Sequence, residues 1–210
     1  MDAAYANTIA EAIDAVNPLQ DPTVETHEQS VAEPLMCAQS IIEVCNQSQI
    51  GHEAKVLDFG ARSGQLGTLL VENGLNQVYG REGSDVKKQI LERKGIYKEI
   101  ETFIVGKQSL PKSYRRNFDV VACAGSLGTN LLPARCFAEM LGALRPGGHV
   151  VFTVSKKHLA EKDSFRTGYR KAIEKLVADG SWQPVAQREF IKSQGDGEEH
   201  FALFVFQKTS

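Results

Sequence analysis

Apolar positions recur at helical spacing in the first fifty residues, and then the pattern changes. Tyr5, Ile9, Ile13 and Val16 form one stripe, which predicts a short amphipathic helix over residues 2–16. Pro18, Pro22 and the polar run to Ser30 predict a loop, and Val31, Leu35, Ala38, Ile42 and Cys45 mark a second helix that ends before Gly51. After that, short apolar bursts alternate with helical segments. KVLDF (55–59), QVYG (77–80), EIETFIV (99–105), FDVVACAG (118–125) and HVVFTVS (149–155) are five predicted strands. Between them lie helices at QLGTLLVENG (65–74), at SDVKKQILERKG (84–95) with Val86, Ile90 and Leu91 facing inward, and at ARCFAEMLGALR after Pro133. In the last of these, Phe137, Met140, Leu141 and Leu144 face the core, and Arg-Pro-Gly-Gly (145–148) breaks the helix.

Strands that are apolar throughout are buried on both faces, so the alternation implies α/β architecture, a parallel sheet covered by helices. The last third differs. Phe165, Tyr169, Ile173, Leu176 and Val177 predict a helix that stops at Gly180. Two strand-like runs, QPVAQREFIKSQ and EEHFALFVFQK, flank Gly195-Asp196-Gly197 and predict an antiparallel hairpin. The expected organisation is a helical cap over residues 1–50 on one domain spanning 51–210.

Composition narrows the function classes. The 210 residues carry 24 Lys+Arg against 26 Asp+Glu, a net charge of −2, with 42% hydrophobic residues. A chain of that size needs neither disulfides nor metals to fold, and no metal site is expected. A near-neutral balance disfavours a nucleic-acid partner, which calls for a basic surface. No apolar run reaches the length of a membrane span. The N-terminus lacks a basic region and carries Asp2, Glu11 and Asp14, which disfavours a secretory leader. Cys37, Cys45, Cys123 and Cys136 sit singly in apolar stretches, as reduced buried thiols would in a cytoplasmic or nuclear protein.

Candidate chemistry concentrates after the first strand, in Asp58-Phe59-Gly60-Ala61-Arg62-Ser63-Gly64. In an open α/β sheet, ligands bind at the carboxyl ends of the strands near the switch in strand order. A glycine turn there admits close backbone approach, and the helix behind it offers free N–H groups. The dinucleotide fingerprint would need glycines at 62 and 65, where Arg62 and Gln65 stand, so a nicotinamide dehydrogenase fits the frame but fails the spacing. A P-loop is absent. The second strand runs into Gly80-Arg81-Glu82, and Glu82 lies where an acid accepts from both hydroxyls of a ribose. Glycine turn and acid together predict a nucleoside-containing cofactor.

The runs VLDFGARSG, VYGREGSDVKKQILERKGIYKEI, FDVVACAGSLGTNLLP and LRPGGHVVFTVS resemble, in order and spacing, the motifs of class I S-adenosylmethionine-dependent methyltransferases. KGIYKEI, the segment from Gly125 to Pro133 and FRTGYRKAIEKLVADGSW resemble more narrowly the Williams–Beuren syndrome region methyltransferase-like proteins. The resemblance implies a Rossmann-like seven-stranded sheet of order 3-2-1-4-5-7-6 with strand 7 antiparallel. It implies S-adenosylmethionine as cofactor, S-adenosylhomocysteine as product and a small-molecule acceptor. Carried over by position, Gly60, Ala61 and Gly64 would line the methionine moiety, and Glu82 would hold the ribose with Gly83 beside it. Lys107 and Gln108 would flank the adenine edge, and Ala124 and Gly125 would face the cofactor from the other side. The alternative reading is a degenerate methyltransferase fold that binds a partner, or the cofactor without catalysis.

Some positions depart from the family. Arg62 replaces the middle glycine, so its side chain must swing out or narrow the pocket, and its charge needs a partner in Asp58 or Glu82. Lys107 is donor-only, where relatives carry an acceptor. No catalytic base is evident; His27 is the candidate by location, and a solvated loop histidine is its simpler role. His149 and His158 are expected to be structural or exposed, Tyr114-Arg115-Arg116 a solvated loop, and Trp182 and Tyr169 packing residues.

Overall fold

A single mixed sheet organises the chain. The structure, a computed structural model, describes residues 32–160, 167–194 and 197–210. The predicted helix at 2–16, the loop carrying His27, and Val31, Phe165, Gly195 and Asp196 lie outside the described residues. The strands are β1 (Lys55–Phe59), β2 (Gln77–Glu82), β3 (Ile100–Thr102), β4 (Phe118–Cys123), β5 (Leu144–Ser155), β6 (Trp182–Gln194) and β7 (Gly197–Lys208). Five α-helices are described: α1 (Ala32–Gln47), α2 (Gln65–Glu72), α3 (Asp85–Lys94), α4 (Cys136–Ala143) and α5 (Tyr169–Ala178).

The strand order is β3-β2-β1-β4-β5-β7-β6. β1 to β5 run parallel, β7 is antiparallel to β5, and β6 is antiparallel to β7. The order inferred from the family resemblance is therefore the observed one. It reverses at β1, whose neighbours are β2 and β4, so the crevice that such sheets use for ligands opens beyond Phe59 and Cys123.

Alternation of side chains along the strands divides the core in two. Leu57, Phe59, Val121, Cys123 and Phe152 face α4 and α5, where Phe137, Met140, Tyr169 and Ile173 cover them. The Trp182 ring belongs to this layer and stacks on Phe206 with centroids 4.5 Å apart. Val56, Val120, Ala122, Val151 and Leu203 face the other way, against α1 and α2. Trp182 and Tyr169 are thus core residues, as expected. All four cysteines are buried and free.

Several elements differ from the sequence expectation. The face that α1 buries centres on Met36, Cys37, Ile41 and Val44, about one position round from Leu35 and Ile42. On α3 only Leu91 is buried; Val86 is 68% exposed and Ile90, which lines a cleft beside the β1–α2 loop, 48%. β3 has three residues rather than seven, and β2 runs on to Glu82. The Arg-Pro-Gly-Gly break lies inside β5: Leu144 pairs with Phe118 and His149 with Val120, so the intervening residues bulge out. Arg145 Nε closes that bulge on Asp119 Oδ1 at 2.6 Å. His149 and His158 are both buried, and burial beside Arg145 lowers the pKa of His149.

Candidate functional site

β1 ends at Phe59, and the chain turns sharply. Gly60 takes φ +91°, and a Cβ there would stand 2.8 Å from Ser126 Oγ, so glycine is required. The amides of Gly60 and Ala61 both donate to the Arg81 carbonyl at 2.9 Å, tying the turn to β2. Ser126 Oγ donates to the Gly60 carbonyl at 2.8 Å, tying it to the loop after β4. Gly64, at φ +81°, caps α2, and Lys94 Nζ donates to the Ser63 carbonyl at 2.8 Å. The glycine loop is thus clamped from three sides.

Glu82 ends β2 beside this loop and is buried. Its Oε2 accepts from the Arg62 amide at 2.9 Å and its Oε1 from the Ser84 amide at 3.1 Å. A carboxylate has about four lone-pair sites, so two backbone contacts leave acceptor capacity for a pair of hydroxyls. Ser84 caps α3, its Oγ accepting from the Lys87 amide at 3.4 Å.

A cleft of about 490 Å³ opens next to the loop, lined by Ala61, Arg62, Asp58, Ala124, Gly125, Glu33 and Lys192 among others. Of the residues expected to hold the cofactor, Ala61, Ala124 and Gly125 line it. Gly60, Gly64, Glu82 and Gly83 form or flank the loop behind it. Lys107 and Gln108 do not join them; they line a separate depression with Gly106, Arg115, Arg116 and Glu139. Gln108 Oε1 accepts from the Ile104 amide at 3.3 Å within its own turn.

Arg62 sits at φ +52°, a left-handed conformation that side-chain-bearing residues seldom adopt. Its guanidinium pairs with neither Asp58 nor Glu82, as its charge had suggested. It crosses the cleft, and Nη1 donates to the Gly125 carbonyl.

Four site residues, Glu33, Thr153, Lys192 and Tyr97, were not apparent from the sequence. Glu33, in the first turn of α1, is buried; Thr153 Oγ1 donates to its Oε2 at 2.7 Å and Lys192 Nζ to its Oε1 at 3.2 Å. Thr153 Oγ1 in turn accepts from the Gly125 amide at 3.2 Å. Tyr97 donates to Asp58 Oδ2 at 2.7 Å. Burial pushes the Asp58 carboxyl up to about 7, against the lowering effect of the Tyr97 hydrogen bond. No signal in the sequence links Glu33 to Lys192, since the pairing depends on how the sheet is ordered. Among the described residues no cluster of His, Cys, Asp and Glu could hold a metal ion, and no helix is long and apolar enough to cross a membrane.

Comparison with known proteins identifies the family and the fold. The chain is 27% identical over 164 residues to human methyltransferase-like protein 27, a match covering 75% of the chain and 64% of that protein's length. It superposes on a TehB-like SAM-dependent methyltransferase from Corynebacterium glutamicum with a TM-score of 0.59 and 16% identity, covering 98% of this chain and 97% of the other. The O-methyltransferase TomG from Streptomyces achromogenes, solved with SAM, gives 0.57 at 15% identity, over 100% of this chain and 91% of that one. At such identities these two structures establish the fold alone. A family described as a methyltransferase domain matches residues 19–192. The chain belongs to that methyltransferase-domain family.

Proposed function

We propose that the chain is an S-adenosylmethionine-dependent methyltransferase acting on a small-molecule acceptor. The observation that carries this reading is Glu82. It is a buried carboxylate at the end of β2, aligned by two backbone amides beside a glycine turn at the strand-order switch. A nucleoside ribose fits it: two hydroxyl donors meet an acceptor held in place with lone pairs to spare. The glycine turn would lie against the amino-acid portion, with Ala61, Ala124 and Gly125 on the walls of the cleft. When bound, this cofactor supplies an electrophilic methyl group on a sulfonium.

The chain's contribution is binding and alignment. The clamped loop fixes the donor, and α1 with the segments after β4 and β5 would shape the acceptor pocket. An in-line transfer to a good nucleophile needs proximity more than a base, so the reading stands without an assigned proton acceptor. Four free, buried thiols support a reducing compartment, cytoplasmic or nuclear.

Calorimetric titration with S-adenosylmethionine and S-adenosylhomocysteine tests the proposal, with micromolar binding expected. Absence of binding up to about millimolar would turn attention to the second reading, a methyltransferase fold that binds a partner without catalysis. The Arg62 side chain lying across the cleft to Gly125 favours that reading.

A further inference from the structure

We infer that the edge of the sheet beyond β3 carries a separate anion site, which takes a phosphate group on the Arg81 guanidinium. The inference does not depend on the cofactor reading, since no residue around this site lines the cleft beside the glycine loop.

Arg81 and Glu82 are neighbours on β2, so their side chains leave the sheet on opposite faces. Glu82 meets the glycine loop. Arg81 enters the aromatic layer, where it is 2% exposed and its Cζ lies 3.3 Å from the centroid of the Phe103 ring. That contact covers the face of the guanidinium and leaves its edge, which carries the N–H donors, in need of acceptors. The edge is poorly served. Glu101 Oε2 stands 3.9 Å from Nη2, too far for a hydrogen bond, and Nε and Nη1 are buried with no partner among the described residues. Burial lowers the pKa of Arg81 to about 10, so the group stays charged at neutral pH. A buried cation with idle donors destabilises the fold, and an apolar side chain would fill the same layer without that penalty.

A cavity of about 410 Å³ adjoins this edge, lined by Arg81, Lys88, Glu101, Phe103, Gln108 and Ser109 among others. Three of these add donors. Lys88 is engaged only by Glu92, in a weak exposed pair at 3.6 Å. Gln108 Oε1 is taken by the Ile104 amide, which leaves its Nε2 free to donate, and Ser109 offers a hydroxyl. Here Arg81 and Lys88 oppose Glu101 alone. The adjoining depression shares Gln108 and Ser109 and sets Lys107, Arg115, Arg116 and Lys208 against Glu139. Such an excess of cations draws anions to this edge. A phosphate presents pairs of oxygens to the planar fork, and the cavity has room for a small molecule attached to it.

Calorimetric titration of the full chain with inorganic phosphate and with glycerol 3-phosphate, at an ionic strength held constant with potassium chloride, tests the site. Saturable binding is expected, with none for glycerol alone. Tighter binding of glycerol 3-phosphate identifies the ligand as a phosphate ester, and equal or tighter binding of inorganic phosphate identifies it as the free ion; both results uphold the site. Arg81→Met, which keeps the β2 backbone and the packing on Phe103, should abolish binding. Lys88→Gln and Ser109→Ala, on the rim, should each weaken it roughly 3- to 10-fold, and they decide the matter if the Arg81 variant does not fold. No saturable binding by wild type, binding that survives Arg81→Met, or binding that neither rim variant weakens overturns the inference.

Discussion

Tyr97 donates a 2.7 Å hydrogen bond to Asp58 across the face of α2, and Gly67 makes the approach possible. A Cβ on Gly67 would stand 2.6 Å from the Tyr97 ring. The pair ties the α3–β3 connection to the last buried residue but one of β1. Tyr97→Phe removes the donor that favours the ionised Asp58. It should destabilise the protein by about 1–2 kcal/mol at pH 8 and less at pH 5, where the carboxyl is protonated. Denaturant titrations at the two pH values check this; equal losses would remove Asp58 ionisation from the explanation.

Asp58 sets a pH dependence of its own. Its carboxyl is raised from 3.8 to about 7 by burial, so the folded protein holds a proton that the unfolded chain releases. Its contribution to stability is full below pH 3.8 and is lost as pH rises through about 7, at about 1.4 kcal/mol for each pH unit between. Asp58→Asn keeps an acceptor for Tyr97 and abolishes the titration. The variant should match wild type near pH 4 and be the more stable of the two, by a few kcal/mol, at pH 8. Melting curves across that range decide the point. The same proton opposes binding of a cationic ligand, so affinity for S-adenosylmethionine should rise with pH through 7 in wild type and stay flat in Asp58→Asn.

Glu82→Ala should weaken S-adenosylhomocysteine binding by roughly 1.5–3 kcal/mol. Glu82→Gln, which retains one acceptor oxygen for the amides of Arg62 and Ser84, should lose less. Calorimetry on both variants checks the assignment, and an unchanged affinity in the alanine variant would remove Glu82 from the ribose.

The exposed face of α3 gives a stability contrast. Val86→Ala and Ile90→Ala should each cost under about 0.5 kcal/mol, as surface changes do. Leu91→Ala, one residue on and 1% exposed, should cost about 2–5 kcal/mol. Fluorescence of Trp182, the sole tryptophan and fully buried against Phe206, reports unfolding in all three variants.

The fold was readable because its signals are local. Continuous apolar runs such as FDVVACAG reveal doubly covered strands, and the glycines at 60 and 64 sit where the backbone needs positive φ. The place of Glu82 at the end of β2, beside the glycine loop, was readable from the sequence. What escaped depends on contacts distant in sequence or on neighbours of unknown length. Glu33 and Lys192 are 159 residues apart. Val86 and Ile90 look like core on a helical wheel, yet both stand in solvent, Ile90 on the lining of the cleft. Lys107 and Gln108 follow β3 as the family pattern asks, yet Gly106 at φ +77° begins a turn whose residues line another depression. Arg62 shows that a position suited to glycine can be filled at a cost in backbone strain, which composition does not reveal.

The strand order imposes a sequence of events on a growing chain. β7 lies between β5 and β6, so β6 has no place in the sheet until residues 197–208 exist to receive it. Lys192 rides on β6, and its partner Glu33 belongs to the first described helix. The wall of the cleft is thus finished only once residues 197–208 have been made. A nascent chain that stops short of residue 197, however much of the glycine loop it has folded, lacks the partner strand that holds Lys192 against Glu33.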